Sequence, residues 1–187
     1  AASASTPPDP RTTWVVPGHP GTVGTVSTAI PAWRELDSGT CSIARTMTVL
    51  GEPWTVLVLR DLLNGLGRFD ELVTHLGIAR NILTRRLTTL VDAGLVETRE
   101  YREPGRRARR EYRPTAAGRD QRPVRLARMA FGDRHHAGPE GPPAVVAHDC
   151  GAPVVLQEVC AEGHVLGPAD RVRTVPGPGS RRRPDAG

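Results

Sequence analysis

Apolar side chains recur at the three- and four-residue spacing of amphipathic helices through the middle of this chain. Ile43, Met47 and Leu50 stand at i, i+4 and i+7, which predicts a short helix over residues 41–50 with Thr40 as its N-cap. Gly51 ends that pattern and Pro53 suits a first helical turn. Val56, Leu57, Leu59, Leu62 and Leu63 then cover more than half the circumference of a second helix over 54–63, as expected of a central core helix. After the turn Asn64-Gly65-Leu66-Gly67, the inward positions Phe69, Leu72, Val73 and Leu76 predict a third helix over 68–76. Gly77 interrupts, and a fourth helix over 80–93 places Ile82, Leu83, Arg86, Leu87, Leu90 and Val91 at helical spacing, its apolar members facing a core.

The other side of the fourth helix is polar. Asn81, Thr84, Arg85 and Thr88 fall at i, i+3, i+4 and i+7, a row of donors and acceptors without a large apolar residue. Arginine grips guanine bidentately, asparagine grips adenine, and threonine suits phosphate or a thymine methyl. A merely solvated face is the alternative, and the flanking elements weigh towards DNA contact. Two helices joined by a short glycine-containing turn form a helix-turn-helix. Residues 95–102 and 109–113 read as strands joined at Pro104-Gly105, a hairpin wing carrying Arg106, Arg107, Arg109 and Arg110, assigned first to backbone affinity. Thr115 caps a last helix over 116–134 with a thin apolar stripe of Val124, Ala127 and Phe131, which Leu126 and Met129 could widen, and Pro123 implies a kink or a late start. From about 137 the chain is loop-rich, with 144–147 and 154–159 as candidate short strands. The fold expected is mainly α with a β-hairpin wing, a winged helix-turn-helix: a disordered extension over 1–37, the DNA-binding domain over 38–136, and a loop-rich appendage and tail over 137–187.

Composition sharpens this picture in two ways. The 18 prolines and 20 glycines crowd the two ends. All 25 basic residues are arginine, and 15 of them lie between Arg80 and Arg134 against 7 carboxylates, a local balance of +8, while the rest of the chain carries −3. Positive charge concentrated on one stretch is the footprint of a polyanion. An anionic membrane would want bulky apolar anchors on a basic helix, and only two phenylalanines and three tryptophans are scattered here. No membrane-length apolar run and no cleavage pattern at the start are found, so a soluble cytoplasmic protein is expected. The two glycines of the 64–67 turn are no phosphate loop, because no strand precedes them and no Lys-Ser or Lys-Thr follows.

Across about 80 residues the motifs resemble the HxlR-type winged-helix transcriptional regulators. The resemblance rests on Cys41 opening the first helix, Gly51-x-x-Trp54 before the second, Arg68-Phe-x-Glu-Leu72 in the third, Leu83-Thr-x-Arg-Leu87 in the fourth, and Glu111-Tyr-x-x-Thr115 after the wing. It implies a homodimeric repressor or activator on palindromic operators, with the first and last helices making the dimer contact, and recognition positions at Arg80, Asn81, Thr84 and Arg85. Pro114 departs from the family's usual apolar residue, and Arg122, Arg125 and Arg128 make the last helix less apolar than a dimer helix. Cys41 matches a position where some members sense quinones, aldehydes or oxidants. A thiol at a helix N-terminus near arginine suits that chemistry, and a buried structural thiol is the alternative. The resemblance also implies a zinc-ribbon-like tail in some relatives. Here His148, Cys150, Cys160 and His164 could ligate zinc tetrahedrally, but Gly163 stands where a second cysteine would complete Cys-x-x-Cys, so no metal or cofactor is expected. Neither a nucleophile motif nor a positioned base argues for an enzyme. A winged-helix protein-interaction module without DNA binding is the rival reading.

Overall fold

The computed structural model describes residues 13–15, 23–25, 33–102, 108–177 and 179–183. In chain order the elements are β1 (Thr13–Val15), β2 (Val23–Thr25), 3-10 turns at Trp33–Glu35 and Ser38–Thr40, α1 (Ser42–Leu50), α2 (Pro53–Leu63), α3 (Phe69–Leu76), α4 (Arg80–Asp92), β3 (Val96–Tyr101), β4 (Arg109–Pro114), α5 (Ala116–Arg119) and α6 (Arg122–His135). This is the helical fold with an antiparallel hairpin that the periodicity predicts. The chain divides into two compact units, residues 1–48 with 171–187 and residues 49–170. None of the described helices is long and apolar enough to cross a membrane.

The second unit holds the core. Leu50, Val58, Leu59, Leu62, Leu72, Ile78, Leu83, Leu87, Leu90 and Val96 are buried in one cluster, against which Phe69, Val73 and Tyr112 also pack. α2 is its axis: Thr55, Val58, Leu59, Asp61 and Leu62 are buried along it. Thr55 and Asp61 are the polar exceptions in this interior, and the Asp61 carboxylate, 1% exposed, pairs with Arg60 Nε and His75 Nδ1 at 2.7 Å each. A buried carboxylate is tolerated where partners satisfy its oxygens.

Two glycines fix how the hairpin docks. Tyr112 N donates to Gly67 O at 2.9 Å, and a Cβ on Gly67 would lie 2.8 Å from Tyr112 O, so no larger residue lets β4 approach the chain entering α3. On Gly118, in α5, a Cβ would collide with the Leu95 carbonyl. Thr115 stitches the same corner: its hydroxyl donates to Gly94 O at 2.7 Å and accepts from Gly118 N at 3.2 Å, the cap expected from the sequence.

The structure corrects several local expectations. Thr40 does not cap α1; it ends a 3-10 turn and its hydroxyl donates to Asp37 O at 2.8 Å. Of the predicted inward residues of α1 only Leu50 is buried, whereas Ile43 and Met47 are exposed. Pro123 gives the late start: the single helix expected from Ala116 is two, with Pro123 in the first turn of α6, where a proline lacks no needed N–H. The extension expected over 1–37 contains β1, β2 and the 3-10 turn at Trp33–Glu35. Residues 144–147 and 154–159 are not strands; only isolated bridges, Ala147 to Pro153 and Val159 to Val165, form there. Branched residues without a neighbouring strand to complete a ladder give a turn, not a sheet.

Candidate nucleic-acid interface

α3, Gly77 and α4 form the helix-turn-helix. Gly77 adopts φ +61°, the left-handed conformation that ends α3, and this sharp turn sends the chain into α4 within three residues. Behind α4, Leu83, Leu87 and Leu90 are at most 1% exposed. In front, Asn81, Thr84, Arg85 and Thr88 are all exposed. One helix therefore has a locked back and an open polar face, which sets side-chain positions without occupying them.

The members of that face differ in what they already hold. Asn81 Oδ1 accepts from Ile82 N at 2.9 Å, leaving the amide nitrogen outward. Thr84 donates back to Arg80 O at 2.9 Å. Arg85 has no ion-pair partner among the described residues. Arg80 is engaged: Nη2 donates to Asp70 Oδ1 at 2.9 Å, and its guanidinium lies 4.9 Å from the Phe69 ring centre. Arg86, counted with the inward positions, is indeed mostly covered; it pairs with Glu52 at 3.1 Å and so ties α4 to the start of α2.

The wing stands beside this helix. β3 and β4 pair antiparallel with Glu97 opposite Arg113, Arg99 opposite Glu111 and Glu100 opposite Arg110, alternating charges that favour one register. Arg99 and Arg113 spend their charge on Glu97 and Glu111 within their own strands. Arg109 lies 3.6 Å from Asp70 Oδ2, so Asp70 joins wing and recognition helix. Between them is a groove of about 390 Å³ whose lining includes Arg68, Arg80, Arg109 and Arg110, with Asp70 and Glu71 as its carboxylates. Arg106 and Arg107, at the expected tip, lie outside the described residues.

Residues 49–138 match the HxlR-like helix-turn-helix family. An HTH-type transcriptional regulator of Mycobacterium tuberculosis is 36% identical over 143 residues, covering 76% of this chain and 89% of that protein. The chain belongs to the HxlR-like helix-turn-helix family of transcriptional regulators. A further HTH-type regulator, from Synechocystis, is 36% identical over 93 residues, 49% of this chain and 67% of its own. Among solved structures, PA1607, a candidate transcription factor, superposes with a TM-score of 0.63 at 32% identity over 72% of this chain and 94% of its own.

Within this HxlR-like chain the candidate sites outside the helix-turn-helix are less complete. Cys41 is half-buried at the residue before α1, donating N–H to Ser38 O and accepting from Arg45 N, each at 3.0 Å. It borders a cavity of about 680 Å³ to which Arg45 and Ile43 also contribute. In the appendage, Cys160 Sγ and His164 Nδ1 are 3.3 Å apart, while His148 Nδ1 accepts from Cys150 N. The structure does not bring these four together: among the described residues no three His, Cys, Asp or Glu side chains converge on a metal-sized site. Sequence reasoning missed Asp70, Glu52 and the Asp61–His75 pair, because each acts across 10 or more residues and only the fold brings the partners together.

Proposed function

We propose that this regulator reads duplex DNA with α4 in the major groove, through Asn81, Thr84, Arg85 and Thr88, and holds the flanking backbone with Arg80 and the wing arginines Arg106, Arg107, Arg109 and Arg110. The observation that carries the reading is the exposed polar row on a helix whose opposite face buries Leu83, Leu87 and Leu90. Rotation or sliding of α4 would cost the burial of Leu83, Leu87 and Leu90, so its outward donors are pre-positioned for base edges. A protein-interaction module would present an apolar or acidic face instead.

The functional unit in this proposal is a cytoplasmic homodimer on a palindromic operator, with residues 38–136 as the DNA-binding domain. Exposed apolar residues support contact with a second copy: Ile43 and Met47 on α1 in the first unit and, taken by themselves, Val124 and Phe131 on α6 in the second. Cys41 is its candidate switch, since a half-buried thiol beside a cavity is accessible to small electrophiles. A Cys41→Ser chain whose DNA binding still responds to quinone or diamide would remove that role.

The division of labour is tested by gel shifts at several salt concentrations. Arg85→Ala should relax sequence preference by roughly 1–3 kcal/mol at one base pair. Arg107→Ala should instead weaken binding to all sequences and flatten the salt slope by about one. If both variants behave alike, the assignment of base and backbone contacts is wrong.

A further inference from the structure

We infer that the groove between α2 and α6 binds a small carboxylic acid with an apolar body, a single ring or a short chain. The groove encloses about 200 Å³, below the ~300–1,000 Å³ of sites for drug-sized ligands. Its floor is apolar, with Leu57, Leu63 and Met129, and its rim is cationic, with Arg60, Arg125 and Arg128; among the described residues no carboxylate lines it.

The three guanidinium groups are not equivalent. Arg60 is satisfied by Asp61 at 2.7 Å. Arg125 donates through Nη1 to the neutral Asn64 Oδ1 at 2.8 Å, and its Nε is buried without an acceptor. Arg128 has no ion-pair partner among the described residues. The buried Arg125 nitrogen is closed to solvent and to any occupant of the groove; what the rim offers a ligand is the positive charge of Arg125 and Arg128, which no described carboxylate neutralises. A neutral apolar molecule would fill the floor and leave that charge unpaired. An inorganic anion would meet the arginines but gain nothing from the leucines. A carboxylate on an apolar body does both, because arginine matches carboxylate geometry with paired N–H donors. A side chain from a second copy could cover the floor, yet an aliphatic one would leave the guanidinium as it stands. Since α2 also packs on α4, an occupant sits one helix away from the polar row. The inference does not depend on which residues of α4 contact DNA.

The test is a calorimetric titration of the full chain with benzoate, alongside benzamide as the neutral isostere and acetate as the acid without an apolar body. One benzoate should bind per chain, with benzamide and acetate weaker by about tenfold or more. Arg125→Met should weaken benzoate by a similar factor, and Leu57→Trp, which fills the groove, should abolish binding. Should either variant fail to fold, the three-ligand comparison on the unaltered chain still decides. The inference is overturned if benzoate does not bind up to roughly 10 mM, if benzamide or acetate binds as well, or if both variants bind benzoate unchanged. It is equally overturned if Leu57→Trp turns a dimer into monomers while benzoate shows no binding, because the groove is then a subunit contact.

Discussion

Asp70 Oδ1 accepts a hydrogen bond from Arg80 Nη2 at 2.9 Å, joining the first turn of α3 to the first turn of α4. The other oxygen of the same carboxylate faces Arg109 of the wing at 3.6 Å. In the free protein Asp70 thus occupies two cations that the proposed DNA complex needs, as a phosphate would. Asp70→Asn should strengthen binding to any duplex by about two- to tenfold at moderate salt and make the salt dependence steeper, because one repulsive charge is gone and two arginines are released. Both partners are more than half exposed, so folding stability should change by less than about 1 kcal/mol. Fluorescence anisotropy with a scrambled duplex reads the first effect and chemical denaturation the second; weaker binding by the variant would mean Asp70 positions Arg80 and does not compete for it.

A methyl group at Gly118 has nowhere to go. Its Cβ would overlap the Leu95 carbonyl, a backbone atom held by Thr115 N at 3.0 Å. Gly118→Ala should therefore destabilise the chain by about 1–3 kcal/mol, even though alanine is the better helix former by about 1 kcal/mol. A melting temperature equal to that of the unaltered protein would show that the α5 corner yields freely.

The Asp61 carboxylate tests what a buried charge contributes here. Its partners Arg60 and His75 are 38% and 55% exposed, so on its removal both can turn to water and no charge is stranded inside. Asp61→Ala should then cost about 1–3 kcal/mol, the scale of lost hydrogen bonds to a charged group, and not the ~3–5 kcal/mol of a fully buried pair that loses one member. Urea denaturation of Asp61→Ala and His75→Ala separates the two: the histidine variant, which leaves Asp61 with Arg60, should be the milder.

Core truncation on α4 should act on folding and on DNA binding together. Leu83 is fully buried directly behind Asn81, Thr84 and Arg85. Leu83→Ala should lose about 2–5 kcal/mol, and its residual folded fraction should bind operator less well, because the helix that aims the polar row is no longer fixed. Operator affinity per folded molecule equal to that of the unaltered chain would contradict the role of the packed face.

Helices α2 to α4 and their outward row were legible because each is written in local spacing: Leu83, Leu87 and Leu90 alternate with Asn81, Thr84 and Arg85 within one short segment. The same logic misplaced Ile43 and Met47, since periodicity shows that a helix has an apolar side and not what covers it. Arg86 was grouped with the buried positions, but its reason for being there, Glu52, lies 34 residues away. The groove held by Asp70 was invisible for a like reason: Arg80 meets that carboxylate only once α3 and α4 fold back on each other, and Arg109 only once Gly67 has let β4 dock. In the appendage, valines suggested strands where the fold supplies no neighbouring strand.

The most direct measurement compares a duplex selected from random sequences by this protein with a scrambled duplex, for the unaltered chain and for Asn81→Ala/Arg85→Ala. The unaltered chain should prefer the selected duplex by about 10³-fold or more, and the double variant should lose most of that preference while keeping its affinity for the scrambled one. Failure to bind any duplex at low ionic strength, or a preference untouched by the double substitution, would contradict the reading of α4 as the recognition helix.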